Sequence, residues 1–331
     1  MKKYDIIELL RGKIMQSIVK LLKKSKNIAI FSHKGPDPDA VGSALALYKA
    51  LKKNGKSVSL FCDDEMDGGN FGFLNGFDDY NKSDLSGFDL FVSVDVASGE
   101  LLGKYEEQFS QFGVSLKIDH HSSGTNFATH NYVKPYSACA IIIYELLKHM
   151  KIKIDKEIAT CLYFGICGDT GIFKNNNTDS KTFLVCADLL DLGADYRQVY
   201  SEFFEKRTLS NLYLTSNAIM SAYVDDEIGF SVMTVSIDDY ERFGANENEH
   251  IGNLPHTFLN CGHKISAILK QKQDGIHCSF RSKFDYDVSK IAEKFGGGGH
   301  KNASGCSIID SLSNAERQVT EAIKNYLKEL N

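Results

Sequence analysis

His33, Asp37 and Asp39 crowd into the run Phe31-Ser-His-Lys-Gly-Pro-Asp-Pro-Asp-Ala-Val-Gly-Ser43, directly behind the apolar stretch Ile28-Ala-Ile-Phe31. Three more donor clusters follow. Asp95 comes after Phe91-Val-Ser-Val94, Asp119-His120-His121 after Val114-Ser-Leu-Lys-Ile118, and Asp169 sits within Gly168-Asp-Thr-Gly171. A purely carboxylate site favours Mg²⁺, whereas a mixed imidazole and carboxylate set suits Mn²⁺ or Fe²⁺. Four such clusters point to two divalent ions held together, with hydrolysis by a bridging hydroxide as the chemistry they would support.

Taken singly, each cluster has a plainer reading. Asp39 fits a cap on the helix starting near Ala40, and Asp95 fits a loop position just outside its strand. Gly168-Asp-Thr-Gly171 fits a turn, its glycines permitting a sharp exit that aims Asp169 inward. A cap needs no imidazole, however, and His33 stands at the strand's end. Two adjacent histidines with an aspartate are harder still to explain by ordinary hydrogen bonds. Alternating side-chain directions would aim one histidine at the metals and the other at the substrate. Asp119 would then orient a ligand from behind.

The elements that position these residues alternate. Residues 27–32, 57–62, 88–95 and 114–119 read as buried strands, while 40–54, 137–150 and 156–167 read as helices. Such alternation predicts a parallel sheet covered by helices. It places His33, Asp95 and Asp119 at the carboxyl ends of strands, where open α/β sheets build their sites. A charged helical stretch over 188–216 links this part to a smaller α/β domain. In that domain 228–237, 264–270 and 276–282 read as strands, with a hairpin at Gln273-Asp-Gly275, and 286–295 and 312–329 as helices. Alternation puts His277, Ser279 and Arg281 on one strand face, making Arg281 a natural phosphate contact. Gly296-Gly-Gly-Gly-His300 lets backbone N–H groups approach an anion with an imidazole beside them.

The 331 residues suffice for two domains, and the net charge of −5 argues against gripping long duplex DNA. No apolar run reaches the length of a membrane span. The amino terminus, Met1-Lys-Lys-Tyr-Asp-Ile-Ile-Glu-Leu-Leu10, lacks a signal peptide's pattern. The eight cysteines form no Cys-x-x-Cys pair and read as reduced thiols of a cytoplasmic protein.

Together, His-x-x-x-Asp-x-Asp-Ala-Val-Gly-Ser, Asp95, Asp119-His120-His121, Gly168-Asp-Thr-Gly171 and Gly296-Gly-Gly-Gly-His-x-x-Ala-x-Gly305 resemble the DHH/DHHA1 phosphoesterases in kind and order. Within them the chain is similar to the nanoRNase/pAp phosphatase group, which cleaves very short oligoribonucleotides and dephosphorylates 3′-phosphoadenosine 5′-phosphate (pAp). The resemblance implies a DHH domain over 1–187, a helical linker over 188–216 and a DHHA1 domain over 217–331. The active site is expected in the interdomain cleft. It implies metal ligands His33, Asp37, Asp39, Asp95, His120 and Asp169, with Asp95 bridging two ions, Mn²⁺ being the expected one. Asp95, His121 and Asp119 are the implied catalytic residues. Arg281, Gly297, Gly298, Gly299 and His300 are the implied substrate contacts. One departure is Pro38, where glycine is common; proline restricts Asp37 to extended backbone. Expected partners are short single-stranded RNA, pAp or dinucleotides, without a membrane, and a homodimer is left open. The alternatives are a phosphodiesterase for cyclic or linear dinucleotides, and a non-catalytic nucleotide sensor on the same fold.

Overall fold

Asn27–Phe31 (β1) and Leu90–Val94 (β3) are largely apolar, with Asn27 and Ser93 the polar exceptions, and are buried on both faces beyond Asn27, as central strands of a helix-covered parallel sheet must be. The computed structural model describes residues 3–66, 71–206, 208–246, 254–283 and 285–330. The chain forms two units, divided after Glu205.

The first unit runs α1 (Lys3–Lys24), β1, α2 (Pro38–Lys53), β2 (Ser57–Phe61), β3, α3 (Glu106–Gln111), β4 (Ser115–Asp119), β5 (His130–Val133), α4 (Cys139–Met150), α5 (Lys156–Asp169), α6 (Ser180–Asp191) and α7 (Tyr196–Phe204). Its five strands are parallel, in the order β2-β1-β3-β4-β5. The direction of winding reverses between β1 and β3, so a crevice opens at their carboxyl ends. α2, α4 and α5 pack over one side of the sheet around Val41, Leu45, Ile142, Leu146 and Leu162. A cluster built on Phe31, Phe61, Phe91 and Phe109 fills the other side.

The second unit runs α8 (Leu209–Met220), β6 (Tyr223–Asp225), β7 (Phe230–Val235), α9 (Ile237–Phe243), α10 (Leu254–Asn260), β8 (Ile265–Lys272), β9 (Gly275–Ser282), α11 (Ser289–Glu293), β10 (Gly298–His300), β11 (Ala303–Ile308) and α12 (Leu312–Glu329). Its sheet is mixed, in the order β10-β11-β9-β8-β7-β6, with only β7 and β8 parallel. The hairpin at Asp274-Gly275 forms as expected, Lys272 pairing with Gly275.

Three local expectations are corrected. The second helix begins at Pro38, not Ala40, because proline at the first helical position sacrifices only a donor that has no intrahelical partner. Helix α5 continues through Asp169, so Gly168 is a helical residue and not the hinge of an exit turn. The glycine-rich segment is an edge strand paired with β11, where a loop was one of two readings. β5 carries no apolar run and was not anticipated. Helices Ser180–Asp191 and Tyr196–Phe204, which span the start of the expected linker, belong to the first unit, and Leu209–Met220 to the second. Arg207, within that stretch, lies outside the described residues.

The described cysteines are all free thiols, six of them buried. Among the described residues no helix is long and apolar enough to cross a membrane.

Helix α2 lies against α5 at Gly42. A Cβ there would stand 2.4 Å from the Cys161 carbonyl oxygen and 3.0 Å from the Gly165 nitrogen, both rigid helical backbone. Gly42→Ala should therefore destabilise the first unit by about 1–3 kcal/mol, read as a lowered urea midpoint. An unchanged midpoint would show that the two helices separate without cost.

Candidate metal centre

The turn leaving β1 is held open by its own backbone. Lys34 N donates to the Leu101 carbonyl, and Gly35 N donates to Asp64. His33 Nδ1 lies 2.9 Å from the Lys34 carbonyl. That places the ring proton on Nδ1 and leaves Nε2, 4.0 Å from Asp37 Oδ1, as a lone-pair donor. Asp37 has extended backbone, φ −94° and ψ 179°, as proline at position 38 requires. Its Oδ1 caps α2 by accepting from Asp39 N and Ala40 N, each at 3.0 Å. The helix cap is thus Asp37 and not Asp39.

Asp39 is fully buried and reaches a different helix. It accepts from Cys139 N and Ala140 N at the amino end of α4, and from Ser43 Oγ at 3.0 Å. Helix amides are suited to an anion there. Burial, and then the Asp169 charge, still raise its carboxyl to about 7.

Asp95 ends β3 at φ +61°, a left-handed conformation that costs a non-glycine residue and clusters at functional sites. The amide stays tied to the sheet by donating to the Ile118 carbonyl at 2.9 Å, while the side chain is 1% exposed. Burial first, and then Asp39, Asp37 and Asp169, push this carboxyl far above the usual range.

His120 closes the site from β4. Its Nδ1 meets the Tyr136 carbonyl at 3.0 Å, so Nε2 points to Asp169 Oδ2 at 3.0 Å and Asp95 Oδ1 at 3.4 Å. Burial would lower this imidazole, but Asp169 and Asp39 outweigh it and lift it to about 9. Asp169 arrives from the last turn of α5. A Cβ at Gly168 would stand 2.5 Å from the Pro38 ring, so that glycine lets α5 approach the start of α2 and bring Asp169 to Asp39.

Asp119 is fully buried. It accepts from His120 N at 2.8 Å, His121 N at 3.3 Å and His121 Nδ1 at 2.8 Å. Lys117 Nζ stands 3.0 Å from its other oxygen and also donates to the Ala97 and Thr125 carbonyls at 2.8 and 2.9 Å. Burial would raise Asp119, yet His121 and Lys117 bring it down to about 2. Asp119, expected among the catalytic residues and also as the group that orients a ligand from behind, holds the partly exposed His121 ring through Nδ1. Sequence reasoning passed over Lys117. Its signal is a lone cation inside an apolar strand, two residues before Asp119 and so on the same strand face.

Three donor groups result, each with ligand atoms within 4.8 Å of one another: His33, Asp37 and Asp95; Asp95, His120 and His121; Asp39, His120 and Asp169. All six residues expected to bind metal are brought together. Asp95 and His120 each belong to two groups; of the two, only the carboxylate has a second oxygen with which it could serve two ions. Asp95 Oδ1 and His120 Nε2 are buried without a well-formed hydrogen bond, at a cost that a coordinated cation removes. The residues fit divalent ions.

The substrate residues expected from sequence lie in the second unit. Arg281 lies on the less buried face of β9, with Nη1 donating to the Phe280 carbonyl at 2.9 Å. No carboxylate pairs with it among the described residues. His300 and Arg281 flank Ala303 from the two neighbouring strands. Gly298, Gly299 and His300 are exposed on the sheet's edge strand. Gly297 and Gly299 leave no room for a Cβ against Gly305 and Ala303.

Residues 27–166 match the model of the DHH family, N-terminal domain, and residues 240–329 match that of the DHHA1 domain. The bifunctional oligoribonuclease and PAP phosphatase NrnA of Thermus thermophilus is 28% identical over 319 residues, covering 95% of this chain and 94% of its own. The cyclic-di-AMP phosphodiesterase GdpP of Geobacillus thermodenitrificans is 27% identical over 339 residues, covering 95% of this chain but 50% of its own. Among solved structures, an exopolyphosphatase-related protein from Bacteroides fragilis superposes with a TM-score of 0.88 at 22% identity. The match covers 96% of this chain and 98% of that one, a likeness of fold.

Without metal, the raised Asp39 and His120 stabilise the folded chain only while protonated. That contribution is complete below about 4 for Asp39 and below about 6.5 for His120, and is lost as pH rises through about 7 and about 9 respectively. Metal must displace these protons. The rise in Tm on adding Mn²⁺ should therefore be small near pH 5, large near pH 8 and reversed by EDTA. Equal shifts at both pH values would mean that other groups bind the ion.

Proposed function

Since this chain belongs to the DHH/DHHA1 family and is a phosphoesterase of that kind, we propose that it hydrolyses short oligoribonucleotides to mononucleotides and pAp to AMP. The observation that carries the reading is the convergence of His33, Asp37, Asp39, Asp95, His120 and Asp169 into three donor groups, two of them sharing Asp95. The match to the NrnA relative, nearly end to end on both chains, supports this substrate class. The alignment with the cyclic-di-AMP phosphodiesterase supports cyclic or linear dinucleotides as the second reading.

Two divalent ions, Mn²⁺ by the mixed donor set, would supply Lewis acidity and an activated water in this site. The protein's own residues do the rest. The Lys34 and Tyr136 carbonyls fix the His33 and His120 rings, so that each offers Nε2. Asp95, held in its left-handed turn by the sheet, faces two donor groups at once. Asp119 fixes the His121 ring through Nδ1 and would balance the charge of a doubly protonated ring, whose Nε2–H could then donate to a phosphoryl oxygen. Arg281 and His300 neutralise a phosphate that does not react, with Gly297, Gly298 and Gly299 admitting it closely.

The test is a product assay with Mn²⁺ on pAp, 5′-labelled oligoribonucleotides of two to about ten residues, and cyclic di-AMP. Mononucleotides and AMP are expected, with no turnover in excess EDTA and none from folded Asp95→Ala. Near wild-type kcat in that variant would show that Asp95 is structural. Turnover of cyclic di-AMP alone would replace the first reading with the second.

Arg281→Ala should raise KM for a diribonucleotide about tenfold or more, since a charge-assisted contact is worth roughly 1.5–3 kcal/mol, while Mn²⁺ affinity stays as it was. Unchanged kcat/KM would remove Arg281 from the site.

A further inference from the structure

Three rows of residues cross the second unit's sheet. Ser266, Arg281, Ala303 and His300 stand side by side on β8, β9, β11 and β10. Ile268, Ser279, Gly305 and Gly298 form the next row, and Lys270, His277 and Ser307 the third. Directly paired residues on antiparallel strands share a face, and every second residue returns to it. All three rows therefore look out on one side. The opposite side is filled by Ala267, Leu269, Cys278 and Phe280 against Ile291 of α11 and Val319 of α12.

Helices α8, α9 and α10 bury Met233, Val235 and Ile268 on the first side, but Lys270, His277, Ser279 and Arg281 remain only partly covered. A shallow cavity of about 550 Å³, lined among others by Lys270, His277, Ser279, Gly297 and Ser307, occupies this open area. Its size suits a nucleotide-scale ligand.

The strands that carry this surface hold basic side chains, Lys270, Lys272 and Arg281, and no acidic ones. Strands β8, β9, β10 and β11 contain neither aspartate nor glutamate, in a chain whose acidic residues outnumber its basic ones, 43 to 38. Asp274, in the hairpin turn, holds the His277 ring through Nε2 at 2.9 Å. No carboxylate pairs with Lys270 among the described residues. Burial, and then neighbouring Lys272, disfavour its charged form, a cost that a bound anion would offset. Arg281 lies four residue steps along β9 from His277, roughly 13 Å, too far for one phosphate to meet both rows.

We propose that Lys270, with Ser307 and the His277 ring beside it, is a second phosphate subsite for single-stranded oligoribonucleotides. It would take a phosphodiester farther along the chain from the phosphate at Arg281 and His300. This inference rests on the proposed function. The contact is to the backbone, so it reads length and not base sequence. A nucleoside bisphosphate held at Arg281 does not extend to Lys270, whereas an oligonucleotide of three or more residues does.

The experiment compares wild type, Lys270→Gln and Lys270→Arg on pAp and on oligoadenylates of two to five residues. It measures turnover with Mn²⁺, and binding by anisotropy of the same labelled oligonucleotides in Ca²⁺. Lys270→Gln should lower the ratio of kcat/KM for a trinucleotide to that for pAp by about fivefold or more, as one charge-assisted contact is lost. Lys270→Arg should restore it. The slope of log Kd against log salt for a pentanucleotide should fall by about 0.7, one phosphate contact on a single strand. A wild type that hydrolyses both substrates, with the same ratio and salt slope in Lys270→Gln, overturns the subsite and leaves the proposed function standing. Oligoadenylate binding that depends on Lys270 without any turnover overturns the proposed function and keeps the subsite.

Discussion

Asp37, Asp39, Asp95 and Asp169 share one small and largely buried volume, and their mutual repulsion is the constraint to which the first unit is built. Each carboxylate is met separately. Asp37 is taken up by the amides at the start of α2, and Asp39 by those at the start of α4. Asp169 faces His120. Asp95 has its backbone satisfied but one carboxylate oxygen left without a hydrogen bond. Without metal, protons held on Asp39, Asp95 and His120 relieve the repulsion, which is the sense of all three shifts. Divalent cations relieve it more completely, because they answer several carboxylates at once.

The same constraint accounts for features of the fold that packing alone does not require. Asp95 stands in a left-handed backbone conformation just beyond a fully buried strand. Strain of that kind persists only when its surroundings hold it, and the amide bond to Ile118 does so. Lys117, a buried ammonium, would be expensive without partners. Two carbonyls and Asp119 surround it, so the loops after β3 and β4 are tied to the residue that orients His121. Close helix approach at Gly42 and Gly168 sets α5 against α2, which delivers Asp169.

The second unit has the opposite electrostatic problem. Its open sheet face gathers Arg281, Lys270 and His300 without a carboxylate on strands β8 to β11. Among the described residues no carboxylate pairs with Arg281 or Lys270, whose charged forms burial disfavours, so an anion bound there would offset that cost. Glycines along the edge strand let the backbone, as well as the side chains, come close to one.

Much of this was legible in the residues themselves. Apolar runs followed at once by Asp or His announced the strands and their functional ends, because buried parallel strands read as unbroken hydrophobic segments. Period-two alternation put Arg281 on the less buried face of β9, and Pro38 announced the extended backbone of Asp37. Other features depend on neighbours distant in sequence. Either aspartate could have capped α2, and only the arrival of α4 some hundred residues later, with amides to satisfy, draws Asp39 away and leaves the cap to Asp37. The spacing of Gly168 and Asp169 suggested a turn, since nothing local reveals that Pro38 would pack on that glycine and let the helix run on. The edge strand at Gly298 needed β11 to pair with. Sequence by itself determined which groups could bind metal and phosphate. The tertiary structure decided which atoms meet, because burial, pairing and helix approach are set by residues far apart in the chain.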